Sequence, residues 1–170
     1  LRARRAMARI LPALAAVLAK SGMRVVHYSV QRDHIHLVVE ADGKPALTTG
    51  MRSLCTSIAK RLNALMERKG KVFADRFHER VLTTPRQVRN ALRYVLCNAR
   101  KHAIAPSDRR WLDPCSSAAV FDGWSIEVTS LAPHGIDPPT LPPTTWLLRV
   151  GWRRAGPPID PGERPGPIDA

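Results

Sequence analysis

Residues 23–41 read MRVVHYSVQRDHIHLVVEA, and this stretch decides the fold. It contains two runs rich in β-branched residues, 23–31 and 34–41, which are separated only by Arg32 and Asp33. Two such runs around a two-residue connection predict a β-hairpin, although this loop lacks the preferred glycine. We therefore expect two antiparallel strands joined by a tight loop.

The loop position sets the register of the hairpin and the two faces of its strands. Antiparallel pairing around the loop places these residues opposite each other: Gln31 and His34, Ser29 and His36, His27 and Val38. Because side chains alternate with period two, one face is apolar and belongs under helices. That face holds Val26, Tyr28, Val30, Ile35, Leu37 and Val39. The opposite face, which we expect to be solvated, holds His27, Ser29, Gln31, His34, His36 and Glu40.

The segments around the hairpin predict three helices and a further strand. Residues 2–21 are rich in Ala, Leu and Arg and stop at Ser21-Gly22, as a helix would. An apolar stripe at helical spacing runs from Leu47 to Gly70, and residues 71–82 have the pattern of a strand. Thr84, Pro85 and Gln87 then form an N-cap, first-turn proline and capping box for a helix over 84–102.

The resulting order, α-β-β-α-β-α, predicts an α+β fold. It is a split βαβ, ferredoxin-like unit that lacks its first strand. The chain begins with Leu1 rather than Met, so we expect the first strand to lie upstream of this residue. That strand would complete a four-stranded antiparallel sheet with the first two helices on one face.

Charge and proline content divide the chain near position 105. Lys and Arg number 27 against 14 Asp and Glu, a formal net charge of +13. Residues 1–105 hold 21 of the basic residues, whereas residues 106–170 hold 12 of the 15 prolines. We predict a folded domain over 1–105, followed over 106–170 by a loop-rich, Pro-rich extension whose tail, from Gly156, is partly disordered.

A surplus of positive charge this large predicts a polyanion as partner, although charge runs are usually only solvated helix faces. The candidate DNA-binding residues are Lys60, Arg61, Arg68, Lys69, Lys71, Arg76, Arg80, Arg86, Arg89 and Arg93.

Cysteine use and hydropathy exclude several other classes of protein. Cys55, Cys97 and Cys115 form no CxxC pair and are odd in number, which indicates neither a disulfide framework nor a zinc ribbon. No apolar run reaches the roughly 18 residues of a membrane span, and no leader sequence stands at the start. We expect no membrane association and a cytoplasmic location.

His34 and His36 are candidate metal ligands. Two histidines at i and i+2 on a strand point the same way from backbone positions about 7 Å apart, so both rings could converge on one ion. The alternative is a solvated strand face that happens to carry two histidines. The triplet alone does not decide between these interpretations.

Tyr94 and Asn98 lie one turn apart on the third predicted helix, on the flank of its apolar stripe. If this helix packs beside the histidine face, Tyr94 presents a hydroxyl nucleophile and Asn98 a third oxygen ligand. The alternatives are a tyrosine at an amphipathic boundary and a surface asparagine near a helix end.

The combination of His34-Ile35-His36 on a strand with Tyr94-Val95-Leu96-Cys97-Asn98 on a later helix resembles the single-tyrosine HUH transposases of small insertion sequences. The closest branch looks like the REP-associated tyrosine transposases, and the resemblance covers residues 10–104. It implies that His34, His36 and Asn98 bind a divalent metal, Mg²⁺ or Mn²⁺, and that Tyr94 is the nucleophile. The helix of Tyr94 would then be a catalytic helix on the face of the sheet opposite the first two helices.

The implied activity is metal-dependent cutting and rejoining of single-stranded or hairpin DNA through a 5′-phosphotyrosine intermediate, in DNA transposition and recombination. Whether a monomer or a homodimer acts stays open. A relaxase or replication-initiator nuclease shares the same chemistry. A non-catalytic nucleic-acid-binding module, such as a decayed or domesticated transposase, would keep only the fold and charge. A histidine-triad hydrolase is disfavoured because Val38 stands where its third histidine belongs.

Overall fold

The computed structural model describes residues 1–18, 22–102, 104–128 and 138–166, and its α+β class is as predicted. Helices and strands occur in this order: α1 Arg4–Leu18, β1 Met23–Val30, β2 Ile35–Ala41, α2 Lys44–Leu65, α3 Pro85–Leu96, α4 Asn98–Lys101 and α5 Trp146–Arg149. Two 3-10 helices, Ala118–Val120 and Gly151–Ala155, belong to the extension.

The hairpin of β1 and β2 forms as predicted, with Ser29 opposite His36. A β-bulge lies between Val25 and His27 and was not predicted. Because a bulge sets two residues of one strand against one of its partner, it shifts the alternation of side chains. The assignment of Val26 to the apolar face under α1 and α2 is therefore wrong: Val25 takes that place, and Val26 joins the core on the opposite face.

Helices α1 and α2 pack together on one face of the hairpin, as predicted. Their contact with the sheet is close at Gly50, where a Cβ atom would lie 2.7 Å from the side chain of Met23. Glycine at this position lets α2 approach β1. Neither of these helices, nor any other in the described ranges, is both long and apolar enough to cross a membrane.

Helix α3 packs on the opposite face of the hairpin. It begins with the predicted capping box. The Thr84 hydroxyl accepts a hydrogen bond from the backbone N–H of Gln87, and the side-chain oxygen of Gln87 accepts one from the backbone N–H of Thr84. Its buried stripe contacts Val26 and Val38 of the strands. The predicted single helix over 84–102 is interrupted at Cys97, so that α3 ends and the short α4 starts afresh.

The extension covers the strand face that we expected to be solvated. His27, Ser29 and Gln31 are 8%, 0% and 2% exposed, so this expectation is wrong for all three. The reason is long-range: Ser116 forms a bridge with Ser29, and Ser117 donates its backbone N–H to Tyr28.

Further contacts bind the extension to the rest of the chain. Arg2 donates to the Asp113 carboxylate at 2.8 Å, while Trp152 and Ile159 complete the core beneath α3. The division into domains at residue 105 stays a prediction. The predicted disordered tail falls partly on residues 167–170, which lie outside the described residues.

No strand forms over residues 71–82, so the third predicted strand is wrong and the described sheet has two strands. A strand needs a neighbour for its backbone hydrogen bonds, and none of the described segments pairs with this one. Residues 115–117 and Leu141 instead bond to the outer edge of β1. The segment stays irregular while Phe73 and Phe77 pack against the core of α1 and α2.

Buried His27 predicts that the fold is acid-labile. Burial lowers its pKa from the ordinary 6.5 to about 4, and the carboxylate of Asp122 offsets this only in part. Because the unfolded chain binds the proton first, stability is fully present above pH 6.5 and falls as the pH drops towards 4, by about 3 kcal/mol for this group. We expect the free energy of unfolding of His27→Gln, measured by urea titration, to differ less between pH 7 and pH 4.5 than that of the parent. If His27→Gln loses as much stability between these pH values as the parent does, His27 is not the cause of the acid lability.

Candidate active site

The rings of His34 and His36 converge, as their spacing predicts. Their Nε2 atoms are 3.0 Å apart, and the ring centroids are 4.6 Å apart. Two nitrogens that each bind one ion at about 2.1 Å, at a right angle, are separated by about 3 Å. The pair therefore has the spacing of two ligands of a single octahedral ion.

Asp33 holds the ring of His34 in place. Its Oδ1 lies 2.7 Å from Nδ1 of His34, and this contact lowers the pKa of the exposed Asp33 carboxyl. A carboxylate that accepts from Nδ1 leaves Nε2 of the ring with a free lone pair, which is how carboxylates commonly support histidine ligands. Nε2 of His34 faces Nε2 of His36.

His36 is held neutral by its surroundings. Burial, and next the electrostatic influence of His34, His102 and Lys101, lowers its pKa to about 4. A neutral imidazole is the form that coordinates metals.

Tyr94, in the last turn of α3, lies against His36. The two rings meet edge to face with centroids 5.1 Å apart, so α3 leans over the histidine pair as predicted. Lys101 completes this group, because its Nζ lies 3.3 Å from the Tyr94 hydroxyl and 4.6 Å from the centre of the ring. From the sequence, Lys101 was only one residue of a basic run. Its position seven residues after Tyr94, on the same side of a continuous helix, was the one feature of the sequence that could have indicated this contact.

Asn98 is fully buried at the start of α4, so the alternative of a surface asparagine is wrong. Neither Oδ1 nor Nδ2 of its amide has a hydrogen-bond partner, and Asn98 makes no hydrogen bond to either histidine or to Tyr94. An unpaired buried polar group costs about 1–3 kcal/mol. Such a group is uncommon in a folded protein and leaves an oxygen ligand free.

These residues fit a weakly held divalent ion. No cluster of three or more His, Cys, Asp or Glu side chains that could hold a metal occurs in the described ranges. The donors that the structure brings together are the two converging imidazoles, and no hydrogen bond joins the buried Asn98 amide to them. Mg²⁺ accepts few protein ligands and keeps positions for water and phosphate oxygen. Imidazoles are softer than the oxygen ligands that Mg²⁺ and Mn²⁺ prefer, so the pair alone would hold either ion weakly.

The candidate DNA-binding residues separate into two groups. Two contact the extension: Arg93 forms an ion pair with Glu163 at 2.8 Å, and Arg89 donates to the carbonyl of Pro157. The others are exposed or half-buried on α2, at the start of α3, or on the irregular segment between these helices. They are Lys60, Arg61, Arg68, Lys69, Lys71, Arg76, Arg80 and Arg86.

A family model described as "Transposase IS200 like" matches residues 3–96, more than half of the chain. The match spans α1, the hairpin, α2 and α3, and thus includes His34, His36 and Tyr94. It ends before Asn98. No curated protein and no solved structure gives a significant match.

Proposed function

This chain belongs to the IS200-like transposases, and we propose that it is a metal-dependent single-tyrosine enzyme that cuts and rejoins single-stranded DNA through a 5′-phosphotyrosine intermediate. The observation that carries the proposal is the placement of Tyr94 against His36, whose Nε2 is 3.0 Å from that of His34. A phenol, a pair of converging imidazoles and a cation are thus gathered at one place. The REP-associated branch remains a prediction within this family.

The ion would be held by His34, His36 and the amide oxygen of Asn98. When bound, it supplies positive charge to a non-bridging phosphate oxygen. All other parts of the reaction come from the side chains and the DNA.

Tyr94 carries the covalent step. Its hydroxyl oxygen attacks the phosphorus, the bond from phosphorus to the 3′ oxygen of the preceding nucleotide breaks, and that oxygen leaves and takes up a proton as a 3′-hydroxyl. The phenol loses one proton in the same step, so atoms and charge balance. Because one phosphoester replaces another, the bond energy is kept and no nucleotide cofactor is needed.

Lys101 supports the attacking oxygen. A phenol is a weak nucleophile at neutral pH and needs a base or a nearby cation. The ammonium group of Lys101, 3.3 Å from the hydroxyl of Tyr94, donates a hydrogen bond to this oxygen and stabilises the negative charge that develops when the proton leaves.

Covalent trapping tests the proposal directly. We expect the chain, incubated with hairpin-bearing single-stranded DNA and Mn²⁺ or Mg²⁺, to form a protein–DNA adduct that survives denaturation. A chelator should prevent it. If tight DNA binding occurs without an adduct in either metal, the proposal fails and the non-catalytic binding module takes its place.

DNA binding is expected to weaken steeply with salt, because bound phosphates release their counterions. Each phosphate contact contributes about 0.7 to the slope of log affinity against log salt for single strands, so replacing Arg68, Lys69 and Lys71 with Gln should lower the slope by about 2. The matched control replaces the exposed Arg4, Arg5 and Arg9 of α1 with Gln. Equal effects of the two triple variants in anisotropy titrations would contradict this choice of surface.

A further inference from the structure

Residues 146–155 of the extension form a two-sided helical element, made of α5 and the 3-10 helix that follows. Its inner side is buried at Leu148 and Trp152. Five of its residues are exposed, and Arg154 of the 3-10 helix lies against the ring of Trp146 of α5, which joins the two parts into one exposed surface. We call this surface the tryptophan platform; it consists of Trp146, Arg149, Val150, Arg153 and Arg154.

The platform is firmly anchored to the rest of the fold. Thr145 caps α5 and donates to the Glu40 carboxylate from its backbone N–H at 2.8 Å and its hydroxyl at 2.7 Å. On the inner side, Trp152 is 2% exposed and packs in the core that includes Val88 and Leu92 of α3. The outward side chains therefore start from a fixed backbone.

Trp146 is held with its ring presented to solvent. The ring is seated on Gly151, where a Cβ atom would come within 2.7 Å of it, and the guanidinium carbon of Arg154 lies 5.2 Å from its centre. Even so, Trp146 is 50% exposed, in contrast to Trp152. Large aromatic side chains dominate cores and interfaces because of the area they bury, so a half-exposed ring on a fixed support indicates a contact surface.

The charge around this ring favours an anionic partner. Asp122 pairs with Arg153 at 2.9 Å, whereas neither Arg149 nor Arg154 pairs with a carboxylate in the described part of the chain. Basic surface continues beside the platform, because the guanidinium of Arg89 on α3 lies against Gly156, just after the 3-10 helix.

We propose that the tryptophan platform binds unpaired bases of DNA, with a base stacked on Trp146 and neighbouring phosphates held by Arg149 and Arg154. An exposed aromatic face beside arginines is the combination that binds single strands without reading their sequence. The choice of DNA as the polymer rests on the proposed function. The platform lies outside residues 3–96, so the family match does not account for it.

Oligonucleotides with and without bases test the platform. The full chain and its Trp146→Ala variant are titrated against a labelled 12-nucleotide oligo-dT and an abasic strand of the same length, at one salt concentration. Loss of stacking on one base should weaken oligo-dT binding by about 5- to 100-fold, while binding of the abasic strand changes less than about twofold. Trp146→Phe should recover most of the affinity because it keeps an aromatic face. The exposed Val120→Ala serves as a surface control.

Three outcomes would overturn the platform. The first is equal oligo-dT affinity of parent and Trp146→Ala, and the second is equal weakening of both oligonucleotides. The third is a change in the self-association of Trp146→Ala, measured by sedimentation, with unchanged oligo-dT binding, which would make the platform a protein contact.

Adduct formation by the parent, measured in parallel, separates the two proposals. An adduct without any Trp146 effect overturns only the platform, and base-dependent binding through Trp146 without an adduct overturns only the transposase chemistry.

Discussion

Tyr94→Phe is expected to reduce the covalent protein–DNA adduct by at least about 10³-fold, as loss of a nucleophile does. The change removes one oxygen and keeps the ring that contacts His36, so the fold and the surrounding packing should persist. Single-stranded DNA should still bind within about twofold of the parent. Denaturing gels with end-labelled hairpin DNA and Mn²⁺ measure the adduct, and anisotropy measures the binding.

Tyr28→Phe is the matched control, because Tyr28 is the only other tyrosine in the chain. It is 1% exposed in the core of α1 and α2, and burial raises the pKa of its phenol well above the usual range. Tyr28→Phe should therefore form the adduct at the parental level. If Tyr94→Phe forms the adduct as well as the parent does, another residue is the nucleophile and the assignment is wrong.

His36→Ala is expected to have the second-largest effect, on both metal affinity and adduct yield. Loss of a side chain that hydrogen-bonds to a metal ligand typically costs 10- to 100-fold in metal affinity or activity, and removal of a ligand should cost at least as much. Calorimetric titration of the DNA-free chain with Mn²⁺ measures the affinity. Raising the Mn²⁺ concentration should restore part of the adduct, since His34 and Asn98 remain, whereas a variant that loses both histidines should not recover.

His78→Ala is the matched control for this series, because His78 is exposed on the irregular segment between α2 and α3. It should bind Mn²⁺ like the parent and form the adduct at the parental level. Parental Mn²⁺ affinity in His36→Ala would show that the converging histidines are not the metal site.

Local patterns were sufficient to predict the parts of the fold that depend on near neighbours. The hairpin register followed from a two-residue loop, and the capping box at Thr84 followed from three residues. The convergence of His34 and His36 is of the same kind, because it depends only on strand periodicity and the adjacent Asp33.

The errors in the fold arose where distant residues decide the outcome. His27 looked solvated, yet Ser117, 90 positions away, covers it and contacts its Nδ1. The bulge at Val26 inverts the expected alternation, and nothing in the alternating pattern marks it. Residues 71–82 have the composition of a strand but no partner in the described sheet.

The convergence of His34 and His36 and the position of Tyr94 beside them were predicted, whereas the supporting contacts were not, and the roles of these residues stay predictions. An apolar stripe continues across Cys97, so the helix break that sets the orientation of Asn98 could not be predicted. The contact of Lys101 with Tyr94 depends on where α4 turns after this break. The sequence pattern alone therefore placed Lys101 among the general basic residues.

The core beneath α3 has a consequence for how the protein is synthesised. Trp152 and Ile159 complete the apolar surroundings of Val88 and Leu92, so the helix that carries Tyr94 cannot dock stably until the chain has grown well past them. Contacts of such long sequence separation form late, because the intervening loop must be closed first. On the ribosome the hairpin and its first two helices can assemble early, while Tyr94 is brought to the histidines only after Trp152 and Ile159 have emerged. A nascent chain that ends before Trp152 is therefore expected to lack the proposed active site.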